Sequence, residues 1–516
     1  MANVKFKPTS ANYDLAPDGL ALDQVTAVRN VVPNDNLLAQ APGYRRIGPD
    51  PLQFAPRYLL PTQTDSEAFW IAGGNEGVLV TDLDAIDQDI TPPGFLPVGD
   101  ITQPYTGGII EQNPVLNVRN SGPYWWDRDL PSPMQPLPGW PDGDLADSVR
   151  PFREFLVAMN ILAGVTRVPD LVRVSDAAPP GQVPQEWTPA IDNLAVERSV
   201  AFNPGGLVDG LQLIDRFYMY KGSSVYLLQY TAGAFVFSVR PVFSTFGALA
   251  RNCIVEWRGQ HIVLADGDLI IHDGINARSL VDERIRREIF DNLDGASQEN
   301  SYLYLNAAQE VVVVCRPKIG EIYPSEGFVV SLSDNSIGKI DLQPQTPHIG
   351  YGIVAQNAGQ LETTWDAKTT TWATDPTRWN QAAFLRTADQ PLLADSGDRV
   401  LIETYNGPLQ DGNPLQTHLE RVGIALDASD RRKYARRLWP TFEAALGAVF
   451  TIEIGSHDHL DTAPVYGPPQ TFVVGTDRFV NFDVQGYYLA YRITSSEQLQ
   501  WRLTNMELEL EVMGRY

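Results

Sequence analysis

A chain of 516 residues is long enough for a large core and for more than one domain. Its 43% hydrophobic content excludes a disordered chain. A formal net charge of −24 excludes bulk electrostatic adhesion to DNA or anionic lipid, because the field of the whole protein repels a polyanion.

Gly (41) and Pro (39) are frequent, which favours many short elements joined by turns. The two cysteines, Cys253 and Cys315, lie in strand-like runs without a CxxC pair. Reduced thiols packed as small apolar groups, in a protein made in a cytoplasm, are expected. The opening MANVKFKPTSANYD lacks the apolar core of a signal peptide, and no apolar run approaches bilayer length. The expectation is no secretion by that route and no stable membrane insertion.

Helical periodicity is scarce and period-2 alternation is common. FWIAGGNEGVLVTD (69–82) reads as two strands around a Gly-rich turn. SGPYWWDRDLPSPMQPLPGWPDGD (121–144) has no periodicity and reads as a long ordered loop, with Trp125, Trp126 and Trp140 packed on a neighbour. RFYMYKGSSVYLLQYTAGAFVFSVR (216–240) reads as three strands, turned at Lys221-Gly222 and Ala232-Gly233.

CIVEWRGQHIVLADGDLIIHDG (253–274) carries a cysteine, two histidines and three aspartates. Strands are expected over 254–257, 260–265 and 269–272, with turns at Arg258-Gly259, Asp266-Gly267 and Asp273-Gly274. Asp bonds its own backbone in turns and Gly tolerates positive φ, so the polar residues here read as sheet punctuation. A catalytic or metal role for His261 and His272 is the lesser reading. SLVDERIRREIFDNLD (279–294) puts Val281, Ile285, Ile289 and Leu293 on one stripe and predicts a charged helix. YLYLNAAQEVVVVCRP (302–317) and EGFVVSLSDNSIGKIDL (326–342) each read as a strand pair. Repeated meanders of this kind are what propeller blades are made of, although no WD or kelch signature is present.

TTWDAKTTTWATDPTRW (363–379) is similar in outline to the Asp-box of propeller glycosidases but lacks its Ser and Gly; Trp365, Trp372 and Trp379 read as packing residues. NGPLQDGNPLQT (406–417) is a cluster of turn formers and a domain boundary. DASDRRKYARRLWP (427–440) is a short basic stretch, helix or strand, stopped by Pro440. Its cations Arg431, Arg432, Lys433, Arg436 and Arg437 stand out in an acidic chain. Three readings compete: pairing with acids of the same fold, docking on an acidic neighbouring subunit, or touching nucleic-acid phosphates. GSHDHLD (455–461) could aim His457 and His459 at one cation from a strand, but a solvated loop is the stronger reading. In TNMELELEVMGRY, Met506, Leu508, Leu510 and Val512 face one way and Glu507, Glu509 and Glu511 the other, as in a half-buried antiparallel strand.

The expected fold is mainly β: a β-propeller-like body of short antiparallel meanders plus a C-terminal β-sandwich, with few short helices. The expected divisions are a β-rich region over 1–148, the body over 149–415 and the sandwich over 416–516. No phosphate loop, GxSxG elbow, HExxH or GxGxxG is present, and no catalytic residue, metal ligand or cofactor is assigned.

Several blocks, in order, resemble the tail nozzle (tail tubular, packaged-DNA-stabilising) proteins of short-tailed bacteriophages. VRPFREFLVAMNI (149–161) is followed by Ser175, Asp176, Ala177 and Trp187, with Val174 where the family often has Trp. Then come Gly233 and Phe237, then Gly247, Cys253, Gly259, Asp273 and Gly274, then RIRREIFDNLD (284–294). Tyr487, Arg492, Trp501 and Gly514 match the closing strands. The resemblance covers most of 149–342 and 420–516; the first 140 residues and 345–415 match poorly. It implies a non-enzymatic virion protein, assembled in the host bacterial cytoplasm into a homohexameric ring around a DNA channel. Its partners would be itself, portal-side adaptor proteins, tail fibres or a needle, and viral double-stranded DNA in transit. A receptor-binding or polysaccharide-degrading propeller is the alternative reading.

Overall fold

Hairpin chemistry builds most of this chain. In the 253–274 stretch, Ile254–Trp257 pairs with Gln260–Ala265, with Trp257 opposite Gln260. The two residues between them, Arg258 and Gly259, both have positive φ (49° and 75°), as a two-residue type I′ hairpin requires. Asp268–His272 and Ala277–Ser279 complete a four-stranded antiparallel sheet. Asp273 closes the last turn by accepting the N–H groups of Ile275 (2.8 Å) and Asn276 (2.7 Å) on Oδ1.

The computed structural model describes residues 2–513 apart from 49–50, 64–67, 84–86, 232–235, 283, 355–388, 406, 427–428 and 499. The sequence features at 363–379, Gly233 and Gly514 lie outside the described residues.

Sheets of this kind recur around one axis. Their first strands are Pro56–Gln63, Tyr105–Ile110, Leu145–Phe152, Leu207–Leu213, Ile254–Trp257, Tyr302–Asn306 and His348–Ile353. Each lies against the next, and the last returns to the first, so the described residues form a seven-bladed β-propeller. The seventh blade takes its outer strand from near the N-terminus: Tyr44–Ile47 pairs with Val400–Thr404, closing the ring with hydrogen bonds between distant chain segments.

Beside the propeller stands a β-sandwich. One sheet contains Arg502–Val512, Lys433–Glu443, Val480–Gly486 and the N-terminal strand Ala2–Phe6. The other contains Ala27–Arg29, Thr417–Ile424, Tyr488–Ser495 and Val449–His457. Met506, Leu508 and Leu510 enter its core, as their alternation predicts. The hairpin Val31–Asn34 and Leu37–Gln40 joins blade six to the sandwich by pairing Val31 with Lys339 and Leu38 with Leu503.

Several expectations are corrected. The segment 121–144 is not one long loop: Gly122–Trp125 and Gln135–Pro136 are the outer strands of blade two. Its tryptophans do pack, with Trp126 buried and Trp140 edge-on to Trp187 at 4.7 Å. Among the described residues of the expected 279–294 helix, only Arg286–Asp291 is helical. Ser279 Oγ draws the N–H groups of Val281 and Asp282 into a turn, and the Asp14 carboxylate caps the helix from far away, through Arg286 N (2.8 Å) and Arg287 N (2.9 Å). Lys433–Glu443 continues through Pro440, which is tolerated because the neighbouring strand Val480–Gly486 pairs no further than Leu438. Val512 is exposed rather than buried. The strand Leu145–Phe152 runs across the expected 148/149 division, and blades stand on both sides of it. No helix among the described residues is long and apolar enough to cross a membrane.

Candidate functional site

The axis of the propeller is where residues from every blade converge, and a buried ion pair with a small cavity beside it occupies it. Arg150, on the inner strand of blade three, reaches Asp209 on blade four through Nε–Oδ1 (2.9 Å) and Nη2–Oδ2 (2.6 Å). Its remaining donors meet Asn252 Oδ1 (2.7 Å) and the Gly107 carbonyl (3.2 Å). Ser148 Oγ (2.6 Å) and Asn252 N (3.0 Å) donate to Asp209. Burial opposes both charges, yet Arg150 and these hydrogen bonds hold Asp209 below the usual carboxylate value, and Arg150 is held above its own.

Next to this pair lies a cavity of about 160 Å³ lined by Tyr58, Asn252, Ile254, Leu303 and His348. His348 Nδ1 accepts the Leu59 N–H (3.4 Å), which assigns the ring proton to Nε2. Burial, and then the Arg150 cation, push His348 down to about 3, so the ring is neutral at physiological pH. The cavity has room for several waters and not for a nucleic-acid duplex.

His261 and His272 face each other across paired strands between blades four and five, both fully buried. Tyr220 Oη lies 2.7 Å from His261 Nδ1 and 2.7 Å from His272 Nε2. The backbone orients the whole chain of bonds. Gly274 N–H can only donate, to His272 Nδ1 (3.1 Å), and the Gln212 carbonyl can only accept, from His261 Nε2 (3.0 Å). His272 Nε2–H therefore donates to Tyr220, and Tyr220 donates to His261. Burial lowers His261 to about 4 and His272 to about 3. Every ring nitrogen is used, so this arrangement is a satisfied core network. Cys253 and Cys315 are buried thiols, and burial raises both.

The basic cluster lies on and just before a sandwich strand. Arg432 pairs with Asp458 (2.7 Å), and Arg437 lies 3.9 Å from Glu509 and over the Phe479 ring. Lys433 is buried, donating to the carbonyls of Tyr487 (2.6 Å) and Arg431 (3.1 Å). Arg431 is exposed and Arg436 half-buried. Pairing within the fold thus engages Arg432 and Arg437. The histidines of 455–461 do not converge: His457 Nδ1 donates to the His459 carbonyl (2.9 Å) instead of sharing a cation with its ring. Among the described residues no group of three or more His, Cys, Asp or Glu could hold a metal ion.

Sequence reasoning missed Arg150 and Asp209. The available signal was a charged residue inside an otherwise apolar strand, in SVRPF and LVDGL.

No protein-family model and no curated protein matches the chain. Among solved structures, the chain is similar to the AfRom2 CNH domain at 6% identity and TM-score 0.37, over 69% of this chain and 97% of that one. It is also similar to AztD of Citrobacter koseri at 10% identity and TM-score 0.31, over 56% of this chain and 72% of that one.

Proposed function

We propose that this chain is a structural virion protein, a subunit of the ring-shaped tail nozzle of a short-tailed bacteriophage that retains the packaged genome and lets it out. The observation carrying this reading is the job done by the residues of the nozzle-like blocks. Trp187 and Trp501 are buried core residues. A Cβ on Gly247 would stand 1.8 Å from the Lys221 carbonyl oxygen, and one on Gly274 would stand 1.9 Å from Tyr218 Oη. Arg492 bridges Glu420 (3.0 Å) and Glu453 (3.5 Å) over the Tyr466 ring. The resemblance thus rests on residues that hold blades and sandwich together, as expected for a shared scaffold.

On this reading DNA passes between copies at the centre of the ring, since the propeller axis is closed by Arg150 and Asp209. An acidic wall suits that passage, because each cation facing the duplex would add counterion-release affinity and slow transit. Ring closure needs unlike patches in contact. Arg436 and Arg437, on one strand of the sandwich, are the proposed cationic patch. Light scattering on the eluted protein tests the reading: a multi-subunit ring is expected, and Arg436→Glu with Arg437→Glu weakens it. A strict monomer that degrades polysaccharide overturns the proposal.

A further inference from the structure

At the end of the propeller axis where the inner strands begin, four arginines gather around Asp147 and Glu299. Asp147 Oδ1 accepts from both Arg119 Nε (3.1 Å) and Arg167 Nη1 (2.8 Å). Arg251 Nη2 donates to Glu299 Oε2 (2.9 Å), and its Nη1 lies 3.6 Å from Asp147 Oδ2. Arg119 Nη1 reaches the same Glu299 oxygen at 3.4 Å. Arg57 stands on the same rim, held by the carbonyls of Gly99 (2.7 Å) and Ile101 (2.9 Å). Among the described residues Arg57 has no ion-pair partner, and its buried Nε has no hydrogen-bond partner. Four guanidiniums therefore face two carboxylates, in a chain of net −24.

The surplus is felt inside the cluster. Burial first, and then the Arg119 guanidinium, push Arg251 below the usual guanidinium value. Burial would raise Glu299, but Arg251, the Thr102 hydroxyl and Arg119 outweigh it and hold the carboxyl below its usual value. The surplus also has open donors. The side chains of Arg119 and Arg167 are 28% and 37% exposed, and their Nη2 groups have no hydrogen-bond partner among the described residues. Because both bind one oxygen of Asp147, the two guanidiniums are neighbours. The donors of a guanidinium match the paired oxygens of a carboxylate or phosphate, and it keeps its charge.

We propose that the axial mouth formed by Arg57, Arg119, Arg167 and Arg251 is an oxyanion-binding site. An incoming anion takes its hydrogen bonds from Arg119 and Arg167, while Arg57 and Arg251 supply charge from behind them. Asp147 and Glu299 hold the guanidiniums in place and keep affinity moderate, since each also repels the ligand. The shared chemistry is the planar or tetrahedral oxyanion, whether it comes as a phosphate group or as a carboxylate.

Calorimetric titration of the full chain with inorganic phosphate and, separately, with citrate tests this, against chloride at matched ionic strength. Saturable binding of at least one oxyanion, near one per chain, is expected. Binding of phosphate alone assigns a phosphoryl source, and binding of citrate alone assigns a carboxylate source. Arg119→Gln with Arg167→Gln should weaken binding about tenfold or more, the loss of charge-assisted hydrogen bonds. If that pair does not fold, Arg167→Gln alone, at the more exposed cation, should weaken it about threefold or more. Binding no stronger than chloride, or equal in wild type and variants, overturns the proposal.

Discussion

Lowering the pH should unfold this protein through three neutral imidazoles. His261, His272 and His348 are buried, with folded values of about 4, 3 and 3 against 6.5 for a free imidazole. Their folded values lie below the unfolded one, so the unfolded chain binds the extra protons as pH falls. Stability is therefore complete above about pH 7 and lost progressively from about pH 6.5 down toward the folded values. Each group forfeits about 2 kcal/mol between about pH 7.5 and pH 5, or roughly 6 kcal/mol for three. That is a large share of the about 5–15 kcal/mol by which domains are usually stable. The structural cause is specific. Protonating His272 Nδ1 expels the Gly274 N–H, and protonating His261 Nδ1 removes the acceptor of Tyr220. Protonating His348 adds a cation beside Arg150. The assay is the urea midpoint followed by tryptophan fluorescence across that pH window, with proton uptake on unfolding measured near pH 5. About three protons are expected, and His272→Gln should remove one and flatten the dependence. A midpoint that does not move, or an uptake near zero, would refute the reasoning.

Asp209→Asn leaves Arg150 buried without a counter-charge and should destabilise the propeller by about 3–5 kcal/mol in thermal unfolding. Gly274→Ala combines φ of 87° with a Cβ driven onto Tyr218 and should cost more than about 2 kcal/mol. Gly320→Ala, at φ 85° with nothing within 4 Å, should cost only about 1 kcal/mol by the same melt. Asp14→Ala removes the distant cap of the Arg286–Asp291 helix and should cost about 1 kcal/mol, seen as faster hydrogen exchange at Arg286 and Arg287.

Much of the strand map was legible in the chain. The 253–274 meander, the three strands of 216–240 and the pairs at 302–317 and 326–342 lie where alternation and turn residues predict them. Each of those signals is local: side chains at i and i+2 share a face, and a Gly at a turn answers to its own φ. The misreadings share a cause as well. The outer strands at 122–125 and 135–136 are short and meet over two residue pairs, Tyr124 with Pro136 and Trp125 with Gln135, too few for alternation to show. The helix at 286–291 starts where Asp14 caps it, and no stripe within 279–294 could reveal that.

Composition and periodicity by themselves determined a folded, acidic, mainly β chain with meanders, a half-buried C-terminal strand and turn-forming aspartates. Only the tertiary structure decided that the described residues form seven blades, that Tyr44–Ile47 closes the ring, and that Ala2–Phe6 completes the C-terminal sandwich. It also decided that Arg150 meets Asp209 on the axis and that four arginines gather at its mouth. Alternation states that a strand has a buried face and is silent about which distant strand, or which opposite charge, will cover it.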